Sequence, residues 1–574
     1  MKVLLVHPED SPVEGVWTRS RWDLVIDLGW AGEGAYREWG RKLGCSVRGF
    51  YGFGRGPEDF RRIAEILSPG LGILVDELGL DWWEILAPLR LLEMLQLVIV
   101  KRVACAVDKA ELVGTRQHSM AELVGAAVGR GVQWMQSENG SPLIRGLRRA
   151  GKTVSRLSPG QILQVALDKW DMDFRLRGRV TRSSSLAPHS AVLLPSSYSN
   201  VTRMLNAYAK LLPERTFLLV TTRKSGDMPG LAGNVHRRSL AAYAPVAISE
   251  PTRNEVRVLE DRWASMDEGP LRGSEELAWA NERGWFRGIG GSFERWLRIR
   301  DAWREVLRNE QISAVLCGDE NNPMNRIPVL LARERKLPTV HCDHGALNVL
   351  LPLRKPACDT YLVKGGMERD FMERTFAGAS RIEQGAPEAG TSGRSRDTSQ
   401  EAGSVVLFSE QYELIEGRTR ILYDDVLPRL CVIARKHGRR VKVKLHPFES
   451  AASRRRIVRS VLRAEDREIV DVVQGALTDE LLADIWFAVV VESSVAVDCA
   501  IRGIPCFLCS WFITPLVGYG EQFLRYGAAR GLDSPQEIVR IPEMLRDFEI
   551  SPEVQRRLWK PIEARRLEKL LQGS

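Results

Sequence analysis

Three short polar segments, each directly after an apolar run, carry residue types suited to acid–base or phosphate chemistry. They read "DHG" at 343–345, "HP" at 446–447 and "ESS" at 492–494. A carboxylate or imidazole can accept a proton from a hydroxyl, and imidazole and hydroxyl groups can donate hydrogen bonds to a phosphate. The order of the three segments along the chain is more informative than any one of them.

The stretch "VKVKLHPFE" places His446 at the end of a predicted strand. Apolar residues and lysines alternate over residues 441–445, which is typical of a strand, and Pro447 restricts the backbone of His446 to extended conformations. A histidine held there can donate a hydrogen bond to a phosphate oxygen or, when protonated, balance charge on a leaving group. The alternative is a strand-end histidine that satisfies a backbone carbonyl; the neighbouring segments favour the phosphate interpretation.

The "ESS" turn joins an apolar strand, predicted at 487–491, to a helix predicted at 495–501. Two hydroxyls and free backbone N–H groups at a helix start can bind an anion. Ser493 or Ser494 can also simply cap the helix, and capping and anion binding are compatible. Glu492 precedes the serines. Ser409 and Glu410, after the strand predicted in "SVVLFSEQ", complete the predicted phosphate-binding set.

The "DHG" segment follows a strand predicted at 339–342. Either Asp343 or His344 can remove a proton from a hydroxyl, or the carboxylate can orient the imidazole so that the two work as a pair. An Asp-His-Gly turn with only local hydrogen bonds is the structural alternative.

Parallel α/β domains are the framework that such strand-end residues require. Short apolar runs alternate with helical stretches through most of the chain. Besides the strands above, the sequence predicts strands at 3–6, 24–26, 72–75, 111–114, 132–135, 217–220, 246–249, 314–317 and 360–363. In such domains a ligand lies beyond the carboxyl ends of the strands.

Composition divides the chain into three predicted domains. They are an N-terminal α/β domain at 1–185, a second Rossmann-like domain at 186–390 and a third at 391–574 that ends in a charged helix. The small, polar segment 389–403 is typical of a linker. The sequence therefore predicts an α/β protein in which two Rossmann-like domains face a cleft, with an additional N-terminal α/β domain.

Bulk composition indicates a globular cytoplasmic protein. Of the 574 residues, 44% are hydrophobic and 27% charged, and the net charge of +9 is too small to favour a nucleic-acid partner. We find no signal peptide, and the apolar stretch 85–100 contains charges and is predicted to be a buried helix. Nine scattered cysteines suit a reducing compartment. The basic surface and the tryptophans suggest peripheral contact with the inner membrane surface.

The motifs resemble those of metal-independent, two-lobed (GT-B) glycosyltransferases. The most similar pattern is that of CDP-glycerol glycerophosphotransferases, bacterial polysialyltransferases and capsule Kdo transferases. His446-Pro447 and Ser493-Ser494 resemble the motifs that hold the donor phosphates in that group. "CDHG" at 342–345 is similar to its base motif, and the segment 358–388 looks like the end of its first lobe.

The resemblance implies roles for the candidate residues. His446, Pro447, Ser409, Glu410 and the Glu492–Ser494 turn would bind the donor phosphates, with His446 also catalytic. Asp343 fits the acidic form of the base motif and His344 the His-Gly form. Two departures are a histidine in place of the second carboxylate of polysialyltransferases, and Glu492 in place of an aromatic residue of glycerophosphotransferases.

The function that the resemblance implies is that of an inverting glycosyltransferase in capsule or other surface-polysaccharide biosynthesis. It would move a sugar or polyol phosphate from a nucleotide-activated donor, such as a CMP- or CDP-linked one, to a hydroxyl of a glycan or lipid-linked acceptor, with no metal and no cofactor. One alternative is an enzyme like UDP-N-acetylglucosamine 2-epimerase, although the arginine-glutamate-asparagine signature of that family is not found. The other is a non-catalytic subunit of a glycan-assembly complex.

Overall fold

The computed structural model describes most of the chain as two compact units. The described residues are 1–8, 10–29, 33–54, 58–135, 190–223, 226, 228–245, 247–345, 353–375, 381–388, 403–410, 418–446, 449–475, 477–512 and 519–573. The first unit comprises Met1–Asp59, Leu95–Leu163 and Thr391–Gln555, and the second comprises Phe60–Met94, Gln164–Gly390 and Arg556–Ser574. The domain boundaries predicted at 185 and 390 stay predictions, as does the cleft.

The first unit contains two parallel sheets. The N-terminal sheet has the order β3-β2-β1-β4-β5, with strands β1 (Lys2–Val6), β2 (Leu24–Asp27), β3 (Ser46–Gly49), β4 (Glu111–Gly114) and β5 (Gln133–Trp134). The C-terminal sheet has the order β15-β14-β13-β16-β17-β18, with strands β13 (Ser404–Phe408), β14 (Val441–Lys444), β15 (Val470–Val473), β16 (Ile485–Val490), β17 (Cys506–Cys509) and β18 (Arg530–Leu532).

The second unit is built on a seven-stranded parallel sheet. Its order is β12-β11-β10-β9-β6-β7-β8, with strands β6 (Ala191–Ser196), β7 (Phe217–Thr221), β8 (Val235–Ser239), β9 (Ile312–Cys317), β10 (Thr339–His341), β11 (Thr360–Val363) and β12 (Arg381–Gln384). Because neighbouring strands in each of the three sheets are parallel, the chain must return to the starting end of the sheet between strands. Helices on the faces of the sheets make these crossover connections.

Helices flank these sheets throughout the described residues. The first half of the chain contains α1 (Glu33–Leu43), α2 (Glu58–Leu67), α3 (Trp82–Leu86), α4 (Leu91–Ala106), α5 (Ser119–Val128), α6 (Ser199–Ala209), α7 (Glu250–Glu268) and α8 (Glu275–Glu282). The remainder contains α9 (Arg287–Gly290), α10 (Phe293–Asn309), α11 (Pro323–Glu334), α12 (Gly366–Thr375), α13 (Arg418–Lys436), α14 (Ala451–Val461), α15 (Ala464–Arg467), α16 (Asp479–Ala483), α17 (Val495–Ile501), α18 (Tyr519–Arg525), α19 (Ile541–Met544), α20 (Pro552–Leu558) and α21 (Ala564–Leu571).

Burial follows the position of each strand within its sheet. Every residue of the central strands β6 and β13 is buried, whereas the edge strands β8 and β15 are partly exposed. Helix α13 covers the C-terminal sheet, and its apolar residues form one core with strands β13, β14 and β16. Because both faces of the central strands are covered, their sequences are continuous apolar runs.

The predicted fold class is confirmed: three parallel α/β sheets are present, consistent with two Rossmann-like domains and an additional N-terminal α/β domain. Two strand predictions are wrong. Residues 72–75 form turns, with only an isolated bridge from Val75 to Asp81. Of the strand predicted at 246–249, residues 247–249 precede α7, whose N-terminus Ser249 caps by accepting the Thr252 N–H. Most of the linker predicted at 389–403 lies outside the described residues.

The last residues of the chain pack on the sheet of the second unit. The N–H of Lys560 donates to the Lys364 carbonyl (2.7 Å), and the N–H of Ile562 donates to the Ala386 carbonyl (2.8 Å). Apolar residues of α21 then join the core formed by β6, β7 and β9. The terminal helices are therefore a structural part of this unit. No helix within the described residues is both long and apolar enough to cross a membrane.

Candidate functional site

In the second unit, polar residues gather at the carboxyl ends of the adjacent strands β9, β10 and β11. Cys317 at the end of β9 is paired with His341 at the end of β10. Asp319 and Asp343 each lie two residues beyond this pair, so the two carboxylates occupy equivalent positions on neighbouring strands. Lys364 follows β11 on the other side of β10. This edge holds both predicted base candidates and two groups that the sequence did not reveal.

The imidazole of His344 is fixed by its backbone neighbours. Its Nδ1 lies 2.9 Å from the carbonyl oxygen of Gly318, and its backbone N–H donates to the same oxygen at 3.1 Å. Because a carbonyl oxygen only accepts hydrogen bonds, Nδ1 carries a proton. In the neutral ring, Nε2 is therefore the basic nitrogen. The side chain is 24% exposed, which leaves it within reach of a substrate.

Asp343 lies beside this imidazole. One of its oxygens, Oδ1, is 3.5 Å from Nδ1 of His344 and accepts the backbone N–H of Gly345 at 2.8 Å. Burial raises the pKa of Asp343, but the charges of His344, His341 and Lys364 outweigh it, so the net shift of the pKa is downward. The ionised carboxylate is thus a weak base that is well placed to orient the imidazole and to stabilise its protonated form.

Asp319 is the counterpart of Asp343 on β9, and its environment has the opposite effect. Burial raises the pKa of Asp319, and the nearby Asp343 carboxylate acts in the same direction against the charge of His344. Its Oδ1 accepts the N–H of Asn321 at 3.1 Å. Two carboxylates with oppositely shifted pKa values beside one imidazole are typical of a site where protons move. "CGDENN" offered no motif that would have identified Asp319.

A buried ion pair supports the turn at Gly345. Lys364 donates from Nζ to Oε1 of Glu368 (2.9 Å) and to the Gly345 carbonyl, while its backbone N–H donates to Oε2 of Glu368 (2.6 Å). Burial raises the pKa of Glu368 to about 7, although Lys364 opposes the shift. The spacing of four residues at a helix start is the signal that could have revealed this pair.

A second buried network holds the loop after β9. Arg326 is fully buried and donates to Oε2 of Glu320 (3.0 Å) and to Oε1 of Glu84 (2.6 Å). Tyr361 donates its hydroxyl to Oε1 of Glu320 (2.6 Å), and Arg354 donates to the Glu320 carbonyl (2.9 Å). The loop that carries Asp319 is therefore attached to α11 and β11 and, through Arg326, to α3.

In the first unit, the C-terminal sheet brings the remaining predicted residues to one edge. Phe408 pairs with Lys444 and Leu407 pairs with Val489, so β14, β13 and β16 end side by side. The predicted residues follow these three ends directly: His446 after β14; Ser409 and Glu410 after β13; Glu492, Ser493 and Ser494 after β16. Pro447 lies outside the described residues.

His446 is anchored through its backbone by Glu449. The His446 N–H donates to Oε2 of Glu449 (2.7 Å), and the Glu449 N–H donates back to the His446 carbonyl (3.0 Å). Glu449 is buried, and its Oε1 accepts hydrogen bonds from Ser409 Oγ (2.8 Å) and Arg454 Nε (2.6 Å). Tyr423 in turn donates its hydroxyl to Ser409 Oγ (2.7 Å). Ser409 thus serves this network, and Glu449 is the anchoring residue that sequence reasoning missed.

The turn after β16 is linked to the turn after β13. Glu410 accepts the Glu492 N–H at 2.9 Å through Oε1, so two predicted residues are in direct contact. Ser493 Oγ accepts the Val495 N–H at 3.4 Å, and Ser494 is the residue before α17. Both serines are partly exposed. The capping alternative therefore applies to Ser493, and its hydroxyl proton can still be donated elsewhere.

The described residues contain neither a candidate metal centre nor a disulfide. Among the described residues, no group of three or more His, Cys, Asp or Glu side chains is arranged to hold a metal ion. All nine cysteines are free, and Cys506 and Cys509 are both buried in β17.

No family model matches the chain, and no curated protein matches it. Solved structures that this chain is similar to include a putative UDP-N-acetylglucosamine 2-epimerase from Listeria monocytogenes, with 9% identity and a TM-score of 0.41 over 67% of this chain and 96% of that chain. UDP-GlcNAc 2-epimerase from Methanocaldococcus jannaschii, in complex with UDP-GlcNAc and UDP, has 10% identity and a TM-score of 0.42 over 67% and 100% of the two chains. The calicheamicin glycosyltransferase CalG4 has 13% identity and a TM-score of 0.34 over 67% and 95%. Similarity at this level says nothing about the activity of this chain.

Proposed function

We propose that this chain is an inverting glycosyltransferase that uses a nucleotide-activated donor and a hydroxyl acceptor. The donor carries a sugar or a polyol phosphate, and the acceptor is a surface glycan or a lipid-linked precursor. The observation that carries the proposal is the fixed tautomer of His344, because it presents a basic Nε2 from a partly exposed ring. The resemblance of the motifs supplies the substrate class.

His344 is the proposed base, with Asp343 as its positioning residue. The acceptor hydroxyl gives its proton to Nε2 of His344, and the resulting positive charge on the ring is stabilised by the ionised Asp343. The acceptor oxygen forms a bond to the anomeric carbon of the donor. The bond from that carbon to the phosphate oxygen breaks at the same centre, which inverts its configuration. With a polyol-phosphate donor, the acceptor oxygen instead bonds to the phosphorus that carries the polyol, and the bond from that phosphorus to the bridging oxygen breaks, so that the nucleotide leaves with that oxygen.

His446 and the Ser493-Ser494 turn are the proposed ligands of the departing phosphate. The nucleotide leaves with the electron pair of the broken bond, so negative charge grows on its phosphate oxygens. A protonated imidazole and hydroxyl donors stabilise that charge most when they are held in place beforehand. The contacts of Glu449 with the His446 backbone, and of Glu410 with the Glu492 N–H, support this preorganisation.

Nucleotide release measured by mass spectrometry tests the proposal. CMP-, CDP-, UDP- and GDP-activated donors are each incubated with the protein and an extract of lipid-linked glycans. His344→Gln should lower kcat by about 10²–10⁴-fold with little change in the donor KM, because the base does not hold the donor. His446→Ala should lower kcat and raise the donor KM together. His236→Ala, on the exposed edge strand β8, is the control and should match the wild type.

Other outcomes point to the alternatives. Turnover of UDP-GlcNAc without any acceptor would assign an epimerase. Nucleotide binding without turnover, together with a stable protein partner, would assign a non-catalytic subunit. Unchanged turnover in His446→Ala, or in His344→Gln, would contradict the proposed mechanism.

A further inference from the structure

The N-terminal sheet has a topological switch point to which no role has been given. Its order, β3-β2-β1-β4-β5, runs outward in one direction from β1 to β3 and then returns to the other side of β1 with β4. The connections after β1 and β4 therefore diverge, which opens a crevice at the carboxyl ends of these two strands. Ligands of open α/β sheets bind at such a point.

Cationic and hydrogen-bonding side chains occupy the two sides of this crevice. His7 follows β1, and Thr115, Arg116 and His118 follow β4. The rings of His7 and His118 meet edge to face, with their centroids 5.3 Å apart. The His7 N–H donates to Thr115 Oγ1 at 2.9 Å, which joins the two connections. Three residues whose side chains can donate to an anion, His7, Arg116 and His118, therefore converge from two strands, while the Thr115 hydroxyl donates to Asp10.

The carboxylates of Asp10 and Asp27 at this edge are buried and hydrogen-bonded. The Asp10 side chain is only 3% exposed and accepts hydrogen bonds from Thr115 Oγ1 (2.7 Å) and from Arg116. Arg116 itself is 32% exposed. Asp27, the last residue of β2, is also buried and accepts from Tyr36 OH (3.0 Å) and the Gly29 N–H (2.9 Å). His7, Arg116 and His118 are thus each partly exposed, while the side chains of Asp10 and Asp27 are buried.

We propose that this switch point is a second ligand site, which binds an anionic phosphoryl group through His7, Arg116 and His118. Guanidinium and imidazole groups are suited to a phosphate because they donate several hydrogen bonds to one compact anion. The source of the phosphoryl group is either a nucleotide or a free phosphate, and the two share this chemistry. The site belongs to the N-terminal sheet and does not depend on the function proposed above.

Histidine NMR on the full-length protein tests the proposal directly. The sequence contains eight histidines, so labelling histidine Cε1 with carbon-13 gives one signal for each of the eight. Single substitutions then assign each signal to its residue. Inorganic phosphate, pyrophosphate and CMP are titrated separately to about 10 mM at constant ionic strength. We expect the His7 and His118 signals to move along one saturating curve with at least one probe. Saturation with CMP alone indicates a nucleotide, and saturation with phosphate or pyrophosphate indicates the free anion.

Three variants connect the signal to the site. Arg116→Gln should weaken the binding measured at His7 by about tenfold or more, which corresponds to ~1.4 kcal/mol. His118→Asn keeps an acceptor for the Met120 N–H at the start of α5, so it should weaken binding without unfolding the helix. His236→Ala should leave the curve unchanged.

Two results would overturn the proposal. One is that the His7 and His118 signals stay in place, or drift without saturating, with every probe. The other is an unchanged binding curve in Arg116→Gln. The His446 signal reports the C-terminal sheet separately, so movement of His446 alone would support the proposed donor site while rejecting this one.

Discussion

At the scale of single residues, the surroundings decide what each titratable group in the second unit can do. Asp319 and Asp343 have the same side chain at equivalent strand positions, yet their pKa values move in opposite directions because different charges face them. His344 is ready to accept a proton because a backbone carbonyl fixes its Nδ1–H. These are properties of the folded arrangement and follow from no residue alone.

The pH dependence of stability tests the effect of burial on the pKa of Glu368. Burial raises its pKa from 4.5 to about 7, so the folded state binds this proton more tightly than the unfolded state. Its contribution to stability is therefore complete below about pH 4.5 and is lost as the pH rises through 7. We expect wild type to lose stability relative to Glu368→Gln between pH 5 and 8. One pKa unit corresponds to about 1.4 kcal/mol, so the change should be at least ~1 kcal/mol.

Thermal unfolding of both proteins at pH 5 and pH 8 measures this difference. Glu373→Gln is the matched control, because Glu373 lies on the same helix but is half-exposed and pairs with Arg369 at the surface. The control should show no comparable pH dependence relative to wild type. If wild type and Glu368→Gln keep a constant difference over this range, the buried pair does not titrate as described.

Some of the candidate residues could be identified from the sequence alone because they directly follow predicted strands. Asp343, His344, His446 and the Ser493-Ser494 turn all directly follow strands that alternate or are continuously apolar, so the pattern that predicts the strand also places the residue. Asp319 follows an equally clear strand, but "CGDENN" has no motif that favours one polar residue over another. Glu449 was missed because its role depends on folding back to the His446 N–H, a contact that no spacing rule specifies.

At the scale of elements, apolar patterning predicted central strands well and edge elements poorly. Strand β8 was missed because "VHRRS" has few apolar residues, as an edge strand exposed to solvent can. Helix α7 was missed because its nineteen residues are mostly charged or polar, and the apolar residues before it were predicted to be a strand.

Gly365, between β11 and α12, tests how closely two elements are packed. A Cβ placed there would lie 2.4 Å from the carbonyl oxygen of Leu558 and 2.6 Å from that of Arg557. These are backbone atoms of the terminal segment and cannot move aside as a flexible side chain can. Gly365→Ala should therefore destabilise the second unit by about 3 kcal/mol, the upper part of the usual range for overpacking.

Hydrogen–deuterium exchange of the peptides covering β11 and α20 measures that loss. Gly233→Ala is the matched control in the same unit, because nothing lies within 4 Å of the Cβ that it would add. The control should exchange like the wild type. Wild-type protection in Gly365→Ala would show that the terminal segment does not pack as described.

At the scale of the whole molecule, the path of the chain joins distant parts of the sequence within each unit. The first unit comprises segments from the beginning, the first quarter and the last third of the chain, whereas the final residues of the chain belong to the second unit. The sequence predicted the terminal helix, but placed it with the preceding domain because it follows that domain along the chain. Only the apolar face that α21 shares with the core of β6 and β7 specifies its actual partner.

This chain path predicts that a substitution near the C-terminus destabilises a sheet that begins almost 400 residues earlier. Leu567 on α21 is fully buried in the core of β6, β7 and β9. Leu567→Ala leaves a cavity there, and such changes lower the free energy of unfolding by about 2–5 kcal/mol. Exchange of the β6 and β7 amides should accelerate by at least about tenfold, since each ~1.4 kcal/mol corresponds to a factor of ten.

Val258→Ala, at a position on α7 that is 46% exposed, is the control and should leave those amides protected. Equal protection of β6 and β7 in Leu567→Ala and wild type would contradict the assignment of the terminal helix to this unit.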